Sequence, residues 1–245
     1  MCPFSLRPEG APICGRYNII PSADALMAAF GVIESCIQTW SLDAPRYNIA
    51  PSTPGAAGRL TKVPIVREIG GTREIIDVVW PLIPPWERGR VPKYSTANAR
   101  AETVADKPAF AHAWRKQQRA LFPISGYYEW RVVPGRTAKQ PFHVFRKDHR
   151  MLAAAGVWDV STTVDGVPVV SAAILTCPPN ELCAEIHNRM PVFIADEEYS
   201  TWLAGEVGAA AKLMRPYPAA LMAMEPISTR VNNPNYDDVS ILART

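Results

Sequence analysis

The stretch VPVVSAAIL, residues 167–175, is a nearly continuous apolar run. Such a run predicts a strand over 168–176 that is buried on both faces. Working outward from it, alternating and apolar segments predict further strands at 63–69, 75–80, 121–133, 141–146, 151–158 and 221–227. Gly70 and Gly71 join the first two of these as a hairpin. Because the strands mostly follow one another, we expect an α+β domain with a curved, largely antiparallel sheet.

Helices are predicted outside these hairpins. Ser22 is a good N-cap for a helix over 22–39, in which apolar residues recur at helical spacing. Asp106 is expected to cap a second helix over 106–119, with a proline in its first turn. Shorter helices are predicted at 179–186, at 196–204 with Asp196 as cap, and at 206–214. No repeat or linker interrupts the pattern, which indicates one domain.

The composition is that of a globular protein. The 245 residues are 48% hydrophobic and 20% charged, and the 24 prolines indicate many turns and short elements. A net charge of +3 permits an anionic partner without requiring one. Five cysteines without an export leader are expected in a reducing cytoplasm, near the nucleoid if the source is bacterial. No apolar run approaches the ~20 residues that span a bilayer, so we expect no membrane association.

Four clusters combine reactive or polar side chains with turn residues: CGRY at 14–17, STANARAET at 95–103, GYYEW at 126–130 and HNRMP at 187–191. Each alone is ambiguous. Cys14 could be a small buried hydrophobe, Glu129 could be paired with an arginine, and His187 could cap a helix or lie in the core.

Taken together, and in the same order with RYNIAPS at 46–52 and WPLIPPW at 80–86, these clusters resemble the SRAP family, the SOS response-associated peptidases also described as abasic-site processing proteins. The likeness runs from about residue 14 to about residue 240. It implies a barrel-like β core with peripheral helices. It also implies a protein that binds single-stranded DNA and links covalently to an abasic site. We expect an SRAP domain over 14–245 preceded by an extension over 1–13, no cofactor, no metal, and a monomer.

The resemblance implies four catalytic residues. Cys14 corresponds to the family's reacting cysteine, whose α-amine forms a Schiff base with the sugar aldehyde before the thiol closes a thiazolidine ring. Glu129 is implied to assist ring opening and proton transfer, and we expect desolvation beside the neighbouring aromatic residues to raise its pKa. Asn98 is implied to hydrogen-bond the linked sugar, and His187 to shuttle protons and bind the flanking phosphate.

The resemblance also implies a set of DNA contacts. The guanidinium groups of Arg16, Arg100 and Arg189 would bind phosphates. Trp80 and Trp86, on a proline-rich loop, would wedge or stack against bases. For the tryptophans an aromatic-core role stays equally open. The implied contact residues are Arg16, Asn48, Trp80, Trp86, Arg100 and Arg189.

One departure concerns the mechanism. The pattern has Ile13 before Cys14, so Cys14 carries an amide nitrogen, which cannot form a Schiff base. Three explanations compete: the natural chain starts just before Cys14, proteolysis removes residues 1–13, or the protein uses only its thiol or is inactive. Removal of Met1 would instead expose Cys2, which lacks the Gly-Arg-Tyr context.

Two other functions stay open. A thiol peptidase would use Cys14 as nucleophile and His187 as base, oriented by Asn98 or Glu129. A module that binds single-stranded DNA noncovalently would need neither covalent linkage to the abasic site nor peptide cleavage. Cys177 and Cys183 lack the spacing of a zinc site and are expected to be buried thiols, and Cys36 is expected to pack.

Overall fold

Two β-sheets form the framework of the fold. A computed structural model describes residues 15–38, 43–56, 60–135 and 137–245. In chain order its strands are β1 (Tyr17–Ile19), β2 (Ile37–Gln38), β3 (Arg46–Ile49), β4 (Lys62–Ile69), β5 (Thr72–Val79), β6 (Asn98–Arg100), β7 (Arg119–Ile124), β8 (Gly126–Arg131), β9 (Gln140–Arg146), β10 (Leu152–Thr162), β11 (Pro168–Cys177), β12 (Met190–Pro191), β13 (Phe193–Ile194) and β14 (Met222–Pro226). The α-helices are α1 (Ala23–Phe30), α2 (Pro108–Arg115), α3 (Glu181–Ala184), α4 (Tyr199–Ala204) and α5 (Val207–Lys212).

The larger sheet closes into a barrel. Its strand order is β12-β11-β10-β7-β4-β5-β2, and β11 also pairs in parallel with β5, where Ser171 lies opposite Val79. That pairing joins the ends of the run β11-β10-β7-β4-β5, so a ring of five strands encloses the main core. The helices lie outside this ring. The α+β class and the barrel-like, largely antiparallel core are confirmed.

The smaller sheet has the order β14-β9-β8-β1-β3, and its pairings are antiparallel. The predicted strand 121–133 is in fact two strands in different sheets, because the chain leaves the barrel at Ser125. There Ser125 N–H donates to the Asn18 carbonyl and Ser125 Oγ accepts from Ile20 N–H, both at 2.9 Å. Gly126 follows, and a Cβ on it would come within 2.0 Å of His143 Nε2, so a larger residue here would have to displace the His143 ring.

The predicted hairpin and central strand are present. β4 and β5 are joined by Gly70 and Gly71 at φ 58° and 81°, a backbone that favours glycine. In β11 the stretch from Ser171 to Cys177 is buried, while the residues before it lie at the half-exposed rim of the barrel. The predicted strands 141–146, 151–158 and 221–227 correspond to β9, β10 and β14.

The first two helices are shorter than predicted. α1 is capped by Ser22 but ends at Phe30, because Gly31 adopts a left-handed conformation and its N–H closes onto the Met27 carbonyl. The chain then continues as a 3₁₀ turn and β2. α2 starts after Lys107 rather than at Asp106. The sequence predicts a longer first helix because apolar residues continue at helical spacing beyond Phe30, where α1 ends.

The later helices are shorter as well. α3 spans Glu181–Ala184, and its cap is Asn180, whose side chain accepts from Cys183 N–H at 2.9 Å. Asp196 begins a 3₁₀ turn ahead of α4 instead of capping it, because its carboxylate is taken by Arg146 and the Tyr199 hydroxyl. α5 covers the middle of the last predicted helix.

Candidate functional site

The strand β1 enters the smaller sheet beside Glu129. β1 pairs with β8 so that Tyr17 lies opposite Tyr127 and Asn18 opposite Gly126, and Tyr128 N–H donates to the Arg16 carbonyl at 2.9 Å. Extending this antiparallel register by two residues sets Gly15 across from Glu129. The first described residue of the chain is therefore a neighbour of the predicted acid/base residue.

Cys14 lies outside the described residues, as do Cys2 and the extension 1–13. Their predicted roles stay predictions. The structure does describe Gly15, to which Cys14 is bonded. A Cβ on Gly15 would meet nothing within 4 Å, so the backbone at this point borders open space.

Glu129 is buried, with 4% of its surface exposed. The expected burial is present, but Tyr128 and Trp130 do not supply it. Side chains alternate along a strand, and these two pack on the opposite face in a second small core with Val231 and Ile241.

On the Glu129 face, β8 is tied to α3. The Tyr127 hydroxyl and Cys183 Sγ are 3.1 Å apart, and both side chains are fully buried. Burial raises the pKa of the Cys183 thiol to about 11, with a further rise from the negative charge of Glu129. Glu129 therefore lies close to Cys183. Cys183 in turn lies one helical turn before His187. Neither Tyr127 nor Cys183 was predicted as part of the site, although strand alternation could have placed Tyr127 beside Glu129.

His187 lies in the turn after α3, where its N–H donates to the Cys183 carbonyl at 3.0 Å. Its ring is half-buried, and Nδ1 lies 3.1 Å from Arg189 N and 3.3 Å from the Arg189 carbonyl oxygen. The backbone of Arg189 thus holds the Nδ1 edge of the ring whichever nitrogen carries the proton.

Asn98 and Arg100 lie on β6, which runs parallel to β11 with Asn98 opposite Ile174 and Arg100 opposite Thr176. Ala99 between them is buried in the barrel, so Asn98 and Arg100 share the other face. The side chain of Arg100 is exposed and makes no hydrogen bond or ion pair within the described part of the chain, although its charge contributes to lowering the pKa of Glu102. Its guanidinium is available to an anion.

Arg189, in contrast, is already paired. Its guanidinium donates to both carboxylate oxygens of Glu102, at 2.6 and 2.8 Å, and to the Thr176 carbonyl at 2.6 Å. The hydrogen bond from Arg189 lowers the pKa of Glu102. The structure thus gives Arg189 a structural role at the end of β11, and its contact with a phosphate stays a prediction.

Arg16 and Asn48 hold the C-terminal segment, residues 228–245. Arg16 donates to Asn48 Oδ1 at 3.1 Å and to the Val231 carbonyl, and it lies 5.8 Å from the Trp130 ring. Asn48 is buried, and its Nδ2 donates to the carbonyls of Val231, Asn233 and Tyr236. The amide of Asn48 is consumed by these internal bonds, so the structure indicates an anchor rather than a DNA contact.

The two tryptophans separate clearly. Trp80 is 0% exposed, donates Nε1–H to the Ala97 carbonyl at 2.9 Å and lies 5.3 Å from the Tyr17 ring. Its assignment as a base-stacking residue is wrong, because its faces are covered by the barrel core. Trp86, in the 3₁₀ turn that follows, is 53% exposed and presents its ring to solvent.

The remaining cysteines behave as packing residues. Cys177 and Cys183 are buried thiols, as expected, and burial raises the pKa of Cys177 to about 12. Cys36 is half-buried against the main core. None of the helices in the described ranges is long and apolar enough to cross a bilayer.

Comparison with known proteins shows relatives over nearly the whole chain. The family model described as SOS response associated peptidase (SRAP) matches residues 13–234. The abasic site processing protein YoqW of Bacillus subtilis (strain 168) is 30% identical, over 94% of this chain and 99% of its own. The abasic site processing protein HMCES of Rattus norvegicus is 25% identical, over 94% of this chain and 76% of its own.

Solved structures share the fold. A protein from Bacteroides thetaiotaomicron superposes with a TM-score of 0.78 at 25% identity, covering 95% of this chain and 100% of that protein. One from Bordetella bronchiseptica gives 0.73 at 23% identity, covering 88% of this chain and 100% of that protein. With a family match that spans most of its length, this chain is a member of the SOS response associated peptidase family.

Proposed function

We propose that this protein processes abasic sites in single-stranded DNA by forming a covalent thiazolidine link through Cys14 once that residue is the first of the chain. Relatives matched over 99% and 76% of their own length are named abasic site processing proteins. The observation that carries the proposal is the pairing of Tyr17 with Tyr127 between β1 and β8, a register that, extended by two residues, sets Gly15 across from the buried Glu129. In this proposal the residue bonded to Gly15 reacts beside that carboxyl group.

The chemistry needs an amine and a thiol on one residue. The α-amine adds to the aldehyde carbon of the ring-opened sugar, and loss of water leaves a Schiff base. The sulfur then adds to the same carbon while its proton passes to nitrogen, which closes a five-membered ring. An α-amine has a pKa of about 7.7–8.0, against about 10.4 for lysine, so a useful fraction is unprotonated near neutral pH.

The surrounding residues fit the proton transfers. Glu129 would deliver and accept protons at the sugar oxygen and the departing water. His187, whose Nδ1 is held by the backbone of Arg189, would present Nε2 toward the Schiff base or a flanking phosphate. Asn98 would hydrogen-bond the sugar. Glu129 and His187 are connected through the Tyr127 and Cys183 contact, which ties β8 to α3.

The DNA strand would be held chiefly by Arg100 and Trp86. Arg100 has no hydrogen-bond or ion-pair partner among the described residues and can meet a phosphate without first breaking an internal bond. Trp86 has an exposed ring on which a base can stack.

The thiol peptidase alternative concerns the same cysteine. Removal of residues 1–13 requires cleavage of the bond between Ile13 and Cys14. Attack of the Cys14 thiol on the Ile13 carbonyl would move the acyl group from nitrogen to sulfur and free the α-amine, and water would then hydrolyse the thioester, which releases residues 1–13 and restores the thiol. Incubating the purified full-length chain and following its intact mass tests this: a product that begins at Cys14 supports autoproteolysis. Its absence leaves either an external protease or a start site at Cys14.

The decisive experiment compares a chain that begins Met-Cys14, and loses its methionine, with the full-length chain. Each is incubated with an abasic single-stranded oligonucleotide and analysed by intact mass and by a heat-stable gel shift. The Cys14 form should gain the oligonucleotide mass minus one water, and a full-length chain that keeps residues 1–13 should not. Cys14→Ala and Cys14→Ser should both abolish the heat-stable link, because each keeps the α-amine but lacks the thiol, and should leave only a Schiff base that must be trapped by reduction.

The controls separate the alternatives. Cys2→Ala should change nothing. A stable adduct on an uncleaved chain, mapped to Cys2 or to a lysine, contradicts the proposal. Binding without any link supports a noncovalent module, and peptide cleavage with an unshifted oligonucleotide supports a thiol peptidase.

A further inference from the structure

A cavity of about 380 Å³ opens on the face of β6 that carries Asn98 and Arg100. Its far wall is the start of α2 with the preceding residue Lys107, and its rim is the loop before β6, which includes Tyr94. This volume is at the small end of the range of about 300–1,000 Å³ typical of ligand pockets. The cavity therefore suits one small planar group rather than a length of strand.

The surface of the walls is mostly apolar, and two aromatic residues, Tyr94 and Phe110, are among those that line the cavity. Phe110 of α2 is nearly buried, and Tyr94 is 48% exposed, so one ring face is free for a ligand. Thr96 offers little polarity because its hydroxyl already donates to the Leu82 carbonyl at 2.6 Å. Such a lining favours a flat, largely apolar ring over a free sugar.

The mouth of the cavity is cationic. Neither Arg100 nor Lys107 makes a side-chain hydrogen bond or an ion pair within the described ranges, and Lys107 gives α2 no side-chain cap. No acidic residue is among those that line the cavity. An apolar slot with two unpaired cations at its mouth matches a nucleobase joined to a phosphate.

We propose that this cavity binds the nucleobase next to the abasic position, with Arg100 and Lys107 holding the phosphate between the two nucleotides. This inference rests on the proposed function and assigns it a specific subsite. Asn98 connects the two sites, because its side chain both lines the cavity and would bond the lesion sugar. An abasic nucleotide has no base, so its neighbour has lost one stacking partner and is easily unstacked.

The test uses oligonucleotides with one abasic site whose 5′ or 3′ neighbour is either a normal nucleotide or a tetrahydrofuran residue, which has neither base nor aldehyde. For each oligonucleotide we would measure the protein concentration at which half of the DNA becomes covalently linked, and compare these concentrations. A base stacked on an aromatic ring is worth about 5- to 140-fold in affinity. Because Tyr94 is only half exposed, we expect a loss of about fivefold when the base is missing on one of the two sides.

Variants assign that loss to the cavity. Tyr94→Ala should show the same loss with the normal oligonucleotide and no further loss when the flanking base is missing, since both changes remove one contact. Tyr94→Phe should retain the preference, because stacking does not need the hydroxyl. Lys107→Ala should weaken linkage and reduce its salt dependence, whereas Lys116→Ala, at the exposed far end of α2, should not.

The outcomes are distinguishable. If the link forms equally well with and without either flanking base, or if the effects of Tyr94→Ala and of base removal simply add, the cavity does not bind a neighbouring base. The proposed function then stands. If no oligonucleotide is linked at all, the proposed function fails and this inference fails with it.

Discussion

Replacing Asn48 by alanine distinguishes an internal anchor from a DNA contact. The substitution removes the three bonds from Nδ2 to carbonyls of the C-terminal segment and the bond that Oδ1 accepts from Arg16. Two of the bonds to carbonyls are 2.8 Å long. A buried hydrogen bond contributes about 0.5–1.5 kcal/mol net. Because Nδ2 carries only two hydrogens, the substitution removes the equivalent of about three full bonds, and their joint loss should cost about 2–4 kcal/mol.

That cost is large enough to measure by thermal unfolding. For a domain of this size 1 kcal/mol shifts Tm by about 2–4 °C, which predicts a decrease of about 5–15 °C. Limited proteolysis should become faster within residues 228–245, because the anchor of that segment is lost. Asn235→Ala is the matched control, since Asn235 is exposed and its side chain makes no hydrogen bond in the described structure.

The opposite result is equally clear. If Asn48→Ala unfolds within about 1 °C of the parent protein but binds single-stranded DNA more weakly, then Asn48 contacts DNA and the internal bonds are of little consequence. A stability loss with normal DNA affinity in the fraction that stays folded confirms the anchor.

Other predictions follow from the same site. Glu129→Gln should slow formation of the abasic-site link and change its pH dependence, because an amide cannot exchange a proton, while affinity for undamaged single strands stays within error in a filter-binding assay. Trp80→Ala should destabilise the fold by about 3–5 kcal/mol in chemical denaturation; Trp86→Ala should leave stability near the parent value but weaken single-strand binding, and equal effects of the two would refute their assignment to core and surface. Arg100→Ala should weaken binding to all sequences alike and reduce the salt slope by about one. Arg189→Ala should instead lower stability at neutral pH. The part of this loss that comes from the ion pair with Glu102 should begin to shrink as the pH falls below about 4.3, the ordinary pKa of a glutamate, and should vanish only below the lowered folded-state pKa of Glu102; a pH-independent loss would contradict the role of that ion pair.

The Tyr127 and Cys183 contact explains how residues distant in sequence keep a fixed geometry. Glu129 depends on β8 and His187 on the turn after α3, and these elements belong to different parts of the fold. The bond between the Tyr127 hydroxyl and the Cys183 thiol joins them on the Glu129 face. Because burial raises the pKa of this thiol to about 11, it stays protonated at neutral pH and keeps the contact uncharged.

The sequence by itself determined those features that depend on local chemistry. The central apolar run had to be buried, and the paired glycines at 70 and 71 had to turn a hairpin, since each follows from side-chain solubility or allowed φ values. The ordered motifs, taken together, also identified the family. They nominated Cys14, Asn98, Glu129 and His187 without any knowledge of where these residues lie in space.

Only the tertiary structure decided features that depend on distant partners. The sequence gives no reason to distinguish Arg16, Arg100 and Arg189. In the structure Arg16 anchors the C-terminal segment, Arg189 is paired with Glu102, and the Arg100 side chain is unpaired within the described chain. Nothing within a few residues of an arginine records which carboxylate or carbonyl the fold will bring to it. The switch of sheets at Ser125 and the closure of the barrel between Ser171 and Val79 have the same origin, because both depend on hydrogen bonds to strands far away in the chain.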